Sequence, residues 1–418
     1  MANMKNILLD FLEINKDKAI IKKAIEAIIQ IINKWKSKNG IKGKFKISGI
    51  YEFGIWVIED VEINIVFNDQ LISKYFGSEK SICEPLISKN CKDNSLYCFL
   101  CREQFKDFEV TFKHLQKHTN KTQKMIELNF EGIKFTIETK ENLYKHETNN
   151  FLKELPDIKN NDKFTVALFI LNRWAKNYFV NQERFGFLDQ YSISIMLAKI
   201  IILYSNVSSD VLIEHFFLTY LEILEWNKSI PVQIKENQKD KINENKGIFI
   251  VISPTNPEQI LSKQINKSTT KIIEKAMLAG LKEVGGFSQS QEEITTCWKK
   301  FLEPKKFSEM YQHFVLISCY ATNLLEKQNF CGFVEEKLPH KLMENIENKL
   351  DKINYCHLGK KIDLCPEINE KMPFCSTWII GIELLNNENI KNNKKDIETK
   401  FEELIEELKV DGYNKVGN

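Results

Sequence analysis

Four residues in this sequence carry the spacing of a metal site. Cys98 and Cys101 are followed by His114 and His118, the pattern C-x2-C-x12-H-x3-H. A tight turn brings two thiolates together, and two imidazoles about one helical turn apart complete the tetrahedral set that Zn2+ takes. Phe105 lies between the two pairs as a core aromatic. Leu115 and Thr119-Asn120-Lys121 fit a helix bearing both histidines and a short exit. The expectation is a C2H2 zinc finger over about residues 91–122 with structural Zn2+. A single finger is too small to read DNA with useful affinity, which leaves a structural role, RNA contact or protein contact. Cys83 and Cys91 lie nearby at a spacing that makes no second site.

A second pattern runs from Ser48-Gly49-Ile50-Tyr51-Glu52-Phe53-Gly54 to Glu59-Asp60-Val61-Glu62. A Gly-rich turn followed by two carboxylates two residues apart is a layout for Mg2+ and a triphosphate. Strand periodicity puts Asp60 and Glu62 on one face. Acidic pairs on exposed strands are also common, so this pattern gains meaning only from the elements around it.

Those elements alternate in type. Ile20, Ala24, Ile28, Ile31, Ile32 and Trp35 have helical spacing over residues 19–36, and Asn39-Gly40 stops the run. Strand patterns follow at Phe45 to Ile47 and Val61 to Phe67. They return at Met125 to Phe130 and Lys134 to Thr139, joined by Glu131-Gly132. Residues 164–226 read as helical, 233–247 as a charged loop, Ile248 to Ile252 as a short strand, and 268–284 and 290–302 as helices. From Gln312 to about Leu385 the pattern is that of a small α+β unit. An Asn/Lys-rich stretch, 386–395, precedes an amphipathic helix with Ile397, Phe401, Leu404 and Leu408 on one face.

Composition narrows the classes. The 418 residues are 43% hydrophobic and 28% charged, the balance of a globular chain of two or three domains rather than a disordered one. The formal charge is +2, so nucleic-acid contact requires a local patch. Arg102, Arg173 and Arg184 are the only arginines, few for a protein that clamps phosphates in bidentate fashion. The first residues lack the apolar block of a signal peptide, and Ile193 to Tyr204, interrupted by Ser194 and Lys199, is too short to span a bilayer. No membrane role is expected. A nuclear or cytoplasmic setting is, where the ten cysteines are thiols or metal ligands rather than disulfides.

Further segments follow in a fixed order. Leu171-Asn172-Arg173-Trp174-Ala175-Lys176 precedes Phe185-Gly186-Phe187; Phe216-Phe217 and Glu225-Trp226-Asn227 come next; then Ile252-Ser253-Pro254-Thr255-Asn256-Pro257, Lys267-Ser268-Thr269 and Trp298 to Pro304. Tyr311 to Leu316, Gly332 to Glu336 and Trp378 to Gly381 complete the series. Together with the turn at Gly49 and the pair at Asp60, this order resembles the eukaryotic nuclear poly(A) polymerase family from about residue 45 to 385. The resemblance implies an α+β chain of three domains: a nucleotidyltransferase domain over 19–150 with the zinc finger inserted, a helical central domain over 151–305, and an RRM-like C-terminal domain over 306–388. A linker and amphipathic helix fill 389–418. An N-terminal helix over 1–18 is a candidate to pack with the central domain.

In that family three aspartates hold two Mg2+ ions, which activate an RNA 3′ hydroxyl and stabilise the leaving pyrophosphate. Here Asp60 is kept, the second position reads as Glu62 and the third as Thr136, which carries no charge. Glu138, two residues on, could substitute at a shifted position. The family's turn serine reads as Ile50, its helix lysine as Asn172, its nucleotide tyrosine as Asn181, and its Gly-Gly as Asp189-Gln190. Gly49 and Tyr51 keep the turn. The apolar skeleton persists while the chemical positions change, which implies a pseudoenzyme reused for RNA binding or as a scaffold subunit of a larger complex. Lysines 337, 341, 349, 352, 360 and 361 are candidates for an RNA-facing surface, and the finger and the helix over 396–409 for protein partners. Two alternatives stand beside it. One is an active, template-independent adenylyltransferase using Asp60, Glu62 and Glu138 with Mg2+ and ATP. The other is a zinc-finger nucleic-acid-binding protein on a polymerase scaffold.

Overall fold

A computed structural model describes residues 14–41, 44–58, 61–67, 96–97, 104–105, 108–116, 122–130, 132–138, 143–225, 231–232, 250–256, 259–284, 298, 300–322, 324–362, 374–385 and 394–416. The chain divides into two compact units, residues 1–169 with 254–256, and residues 170–253 with 257–418. The helical middle and the C-terminal α+β segment both fall in the second unit.

The first unit is a helix on a sheet. α1 (Lys18–Asn39) ends at Gly40, whose φ of 66° lets its N–H cap the carbonyls of Lys36 and Ser37. Ala24, Ile28, Ile31, Ile32 and Trp35 are buried as the 3.6-residue period predicts, but Ile21 completes the apolar stripe in place of Ile20, which is exposed. Trp35 meets Phe67 edge-on at 6.3 Å. The sheet is built from β1 (Phe45–Ser48), β2 (Glu62–Phe67), β5 (Phe108–Gln116), β6 (Thr122–Phe130) and β7 (Ile133–Glu138), in the order β1-β2-β7-β6-β5. β2 and β7 run parallel, with Glu62 opposite Lys134, Asn64 opposite Thr136 and Val66 opposite Glu138. The other neighbours are antiparallel. α2 (Tyr144–Glu154) follows and packs beside β1. α3 (Asp162–Asn177) carries the chain into the second unit.

The segment expected to hold a zinc-finger helix is organised differently. β3 (Leu96–Tyr97) and β4 (Gln104–Phe105) pair antiparallel. Residues 108–116 form the strand β5 instead of a helix, with His114 opposite Lys124 on β6. Pairing with β6 along nine residues satisfies backbone groups that a helix would satisfy internally. Cys98, Cys101 and His118 lie outside the described residues, as do Asp60, the expected helix over 1–18 up to residue 13, the loop over 233–247 and most of the expected helix over 290–302.

The second unit gathers α4 (Gln190–Leu203), α5 (Ser209–Glu225) and α6 (Lys267–Val284) around Trp174 of α3. The Trp174 ring meets Phe217 at 5.0 Å and its indole N–H donates to the Ala276 carbonyl at 3.1 Å. The short strands β8 (Pro231–Val232) and β9 (Ile250–Val251) pair in parallel. Beyond the short helix α7 (Phe307–Met310), an antiparallel sheet of β10 (His313–Ala321), β11 (Ile353–Ile362) and β12 (Phe374–Leu384) has the order β10-β12-β11. α8 (Leu324–Leu342) packs on it, and a single π turn, Met343–Glu347, leads to β11. The terminal helix α9 (Lys394–Val416) is longer than its apolar pattern predicts. Its face of Ile397, Phe401, Leu404 and Leu408 is buried against α8 and the π turn. The stripe offered as a docking element is therefore already covered by the chain's own unit.

Among the described residues no helix is long and apolar enough to cross a membrane.

Candidate functional site

Of the residues singled out in the first unit, Gly49, Glu62 and Thr136 meet at one end of β2 and β7. The turn after β1 is a single 3-10 turn, Ile50–Phe53. It closes on Gly54, at φ 89° in the left-handed region where glycine is favoured. Thr165 ties the turn down by donating its hydroxyl to the Phe53 carbonyl at 2.8 Å. Gly49 is required for a separate reason: a Cβ there would stand 2.5 Å from the Glu62 carbonyl oxygen. The turn and the acidic strand thus touch through backbone.

Glu52 fastens the same turn to α2. Asn149 donates through Nδ2 to the Glu52 carboxylate at 2.7 Å and to the Gly49 carbonyl at 3.2 Å. Lys153 donates to the other Glu52 oxygen at 2.7 Å. His146, also on α2, donates through Nδ1 to the Ile47 carbonyl. Burial holds its pKa below the usual 6.5, against the pull of the Glu52 carboxylate. Tyr51 sits 5.4 Å from the Trp56 ring, and burial beside Glu52 pushes its phenol pKa up.

Glu62 starts β2. Its Oε1 accepts from the Lys134 ammonium at 2.9 Å and from the Thr136 hydroxyl at 3.3 Å. Lys134 comes from the parallel register of β2 and β7, Thr136 from two residues further along β7. The position expected to supply a third carboxylate therefore supplies a hydroxyl donor to the second. Glu138 stands opposite Val66, four residues along β2 from Glu62, or roughly 13 Å at the usual rise of a strand. It is buried and paired with Lys145 of α2 at 3.1 Å. Its Oε2 is buried with no hydrogen-bond partner.

The structure thus brings Gly49, Glu62 and Thr136 together and sets Glu138 apart from them. Each of the three carboxylates described here, Glu52, Glu62 and Glu138, is matched by a lysine: Lys153, Lys134 and Lys145. Mg2+ wants several oxygens in near-ideal octahedral geometry. Glu62, sharing one oxygen with an ammonium and a hydroxyl, fits a two-metal site poorly. Among the described residues no group of three or more metal-ligating side chains converges.

Sequence reasoning missed the lysines and Asn149. A signal existed: Lys134, Thr136 and Glu138 share a strand face by period two, and Lys145, Asn149 and Lys153 are spaced by four on one helix. In the second unit, Asn172 lies on α3 and Asn181 in the loop after it. Asp189, at the position of the family's Gly-Gly, is the N-cap of α4 and accepts from the Ser192 N–H at 2.7 Å.

Comparison with known proteins bears on the same segments. Residues 163–304 match the family model described as the poly(A) polymerase central domain. The chain is 27% identical over 212 residues to poly(A) polymerase of Dictyostelium discoideum, covering 48% of this chain and 25% of that protein. It is 26% identical over 225 residues to nuclear poly(A) polymerase 1 of Arabidopsis thaliana, covering 50% and 29%. The matches thus span about a quarter of the length of these curated relatives. Among solved structures, the polymerase core of TRAMP, an RNA surveillance complex, aligns with 72% of this chain and 90% of its own at 15% identity and a TM-score of 0.47. A cytoplasmic RNA terminal U-transferase aligns with 73% and 98% at 14% identity and a TM-score of 0.49. The helical middle of the chain is similar to the central domain of poly(A) polymerases, as the ordered segments implied.

Proposed function

We propose that this chain is a poly(A)-polymerase-like scaffold with a degenerate metal and nucleotide site, acting as an RNA-binding or scaffold subunit of a larger assembly rather than as an adenylyltransferase. The observation that carries the reading is the Glu62 carboxylate, whose Oε1 is engaged by the Lys134 ammonium and the Thr136 hydroxyl. An ammonium beside this carboxylate supplies the positive charge that a divalent ion would supply, but without its coordination sites. The Lys145 partner of Glu138 acts in the same sense. Zn2+ held by Cys98, Cys101, His114 and His118 belongs to this reading as a structural ion, and so does a nuclear setting. One of the relatives is itself named a nuclear poly(A) polymerase.

The test is incorporation of labelled nucleotide onto an RNA primer by the purified chain, with each of the four nucleotides and with Mg2+ or Mn2+. No product is expected. Product that disappears in Asp60→Ala overturns the reading in favour of an active enzyme.

A further inference from the structure

Between Lys16 and Lys46 the chain has ten lysines against two carboxylates, Asp17 and Glu26, in a protein whose formal charge is only +2. The structure leaves six of these lysines exposed, on both flanks of the buried stripe of α1 and just before β1. Lys18, Lys22, Lys23, Lys34 and Lys38 are exposed along α1, and Lys44 is exposed at the start of β1. From Lys18 to Lys38 the helix runs about 30 Å at its usual rise, long enough to follow several phosphates. Lys23, Lys38 and Lys44 form no ion pair among the described residues.

Several lysines of the second unit have carboxylate partners. Of the six lysines read from sequence as RNA-facing, Lys337, Lys341 and Lys361 are paired with Glu336, Glu407 and Glu335. Lys275, Lys305, Lys394, Lys400 and Lys409 each have a glutamate as well. These eight lysines each face a glutamate, whereas Lys23, Lys38 and Lys44 face none among the described residues.

We propose that the outer face of α1 and the start of β1 form a phosphate-tracking surface for single-stranded RNA. The proposal rests on the RNA-binding part of the reading above and assigns it a location. The N-terminal end of α1 lies beside the candidate site. Lys18 and Lys22 lie 5.7 and 5.8 Å from the centre of the Trp56 ring, which abuts Tyr51 of the turn. Asp17 fixes this end of α1 by accepting from the Ile58 N–H at 2.9 Å. An anionic membrane fits less well, because the apolar stripe of α1 is buried and Ile20 is its one exposed large apolar side chain among the described residues.

The full chain is titrated against a labelled single-stranded RNA over a range of salt, beside Lys22→Ala/Lys23→Ala/Lys38→Ala/Lys44→Ala. Four lost phosphate contacts should flatten the log-log salt slope by up to about 3 and weaken binding at low salt by tenfold or more, irrespective of RNA sequence. Lys23→Glu/Lys38→Glu should weaken it further, with circular dichroism confirming the fold of both variants. Equal affinity and slope in folded variants overturn the surface while leaving RNA binding elsewhere on the chain intact. No RNA binding by the unaltered chain at low salt overturns both the surface and the RNA-binding reading. Loss of binding to phosphatidylserine vesicles with RNA binding unchanged assigns the surface to a membrane instead.

Discussion

Gly49 lies so close to Glu62 that a Cβ on Gly49 would stand 2.5 Å from the Glu62 carbonyl oxygen. Neither partner can yield easily. The Gly49 carbonyl is held by Asn149, and Glu62 is paired in the sheet with Lys134. Gly49→Ala should therefore cost about 1–3 kcal/mol, the usual range for overpacking a tight site. Urea denaturation checks it through a lowered midpoint with an unchanged slope.

Glu138 and Lys145 form a buried pair, with side chains 3% and 9% exposed. Lys145→Met leaves a buried carboxylate whose other oxygen already lacks a hydrogen-bond partner. Breaking such a pair from one side costs about 3–5 kcal/mol. The double variant Glu138→Leu/Lys145→Met removes both charges and should recover most of that loss. A double-mutant cycle in urea reads the coupling. If Glu138→Leu/Lys145→Met is no more stable than Lys145→Met, the pair is not what holds these residues in place.

What the sequence made legible depended on whether the cause was local. α1 is found within three residues of its expected bounds, because period and the Gly40 stop are local signals. β2 and β7 follow from short alternating runs in the same way. The lysine partners of the carboxylates were not legible. Glu62 meets Lys134 only because two strands 72 residues apart pair in parallel at that register. The helix expected at His114 failed for a different reason. The histidine spacing favoured a helix, while Phe108, Val110 and Phe112 alternate in the same stretch, and pairing with β6 decided in favour of the strand.

The zinc reading makes a prediction of its own. His114 lies on the strand β5, so a zinc ion held by Cys98, Cys101, His114 and His118 would take one ligand from a strand where the spacing predicts a helix. Purified protein should carry stoichiometric zinc by elemental analysis, and Cys98→Ala/Cys101→Ala should carry none. Because thiolates and neutral imidazoles bind the ion, acid should release it with uptake of protons. Protein that purifies folded and zinc-free overturns the site.

His357 makes the stability of the second unit depend on pH. Its ring is wholly buried. Tyr311 donates its hydroxyl to Nδ1 at 2.6 Å, and Nε2 donates to the Phe179 carbonyl at 3.1 Å. Phe179 itself sits at φ 58°, a conformation that non-glycine residues rarely adopt. Burial lowers the His357 pKa to about 4, with the Lys275 ammonium acting in the same sense. The unfolded chain, with an ordinary histidine, therefore binds a proton that the folded chain refuses. Stability is full above pH 6.5 and falls as the pH drops toward 4. Over that window the loss from this residue approaches about 3 kcal/mol. Urea melts at stepped pH should follow this course, and His357→Phe, which cannot titrate, should flatten it while losing the hydrogen bond to Phe179. A melt series equally steep in His357→Phe would assign the acid sensitivity to other groups.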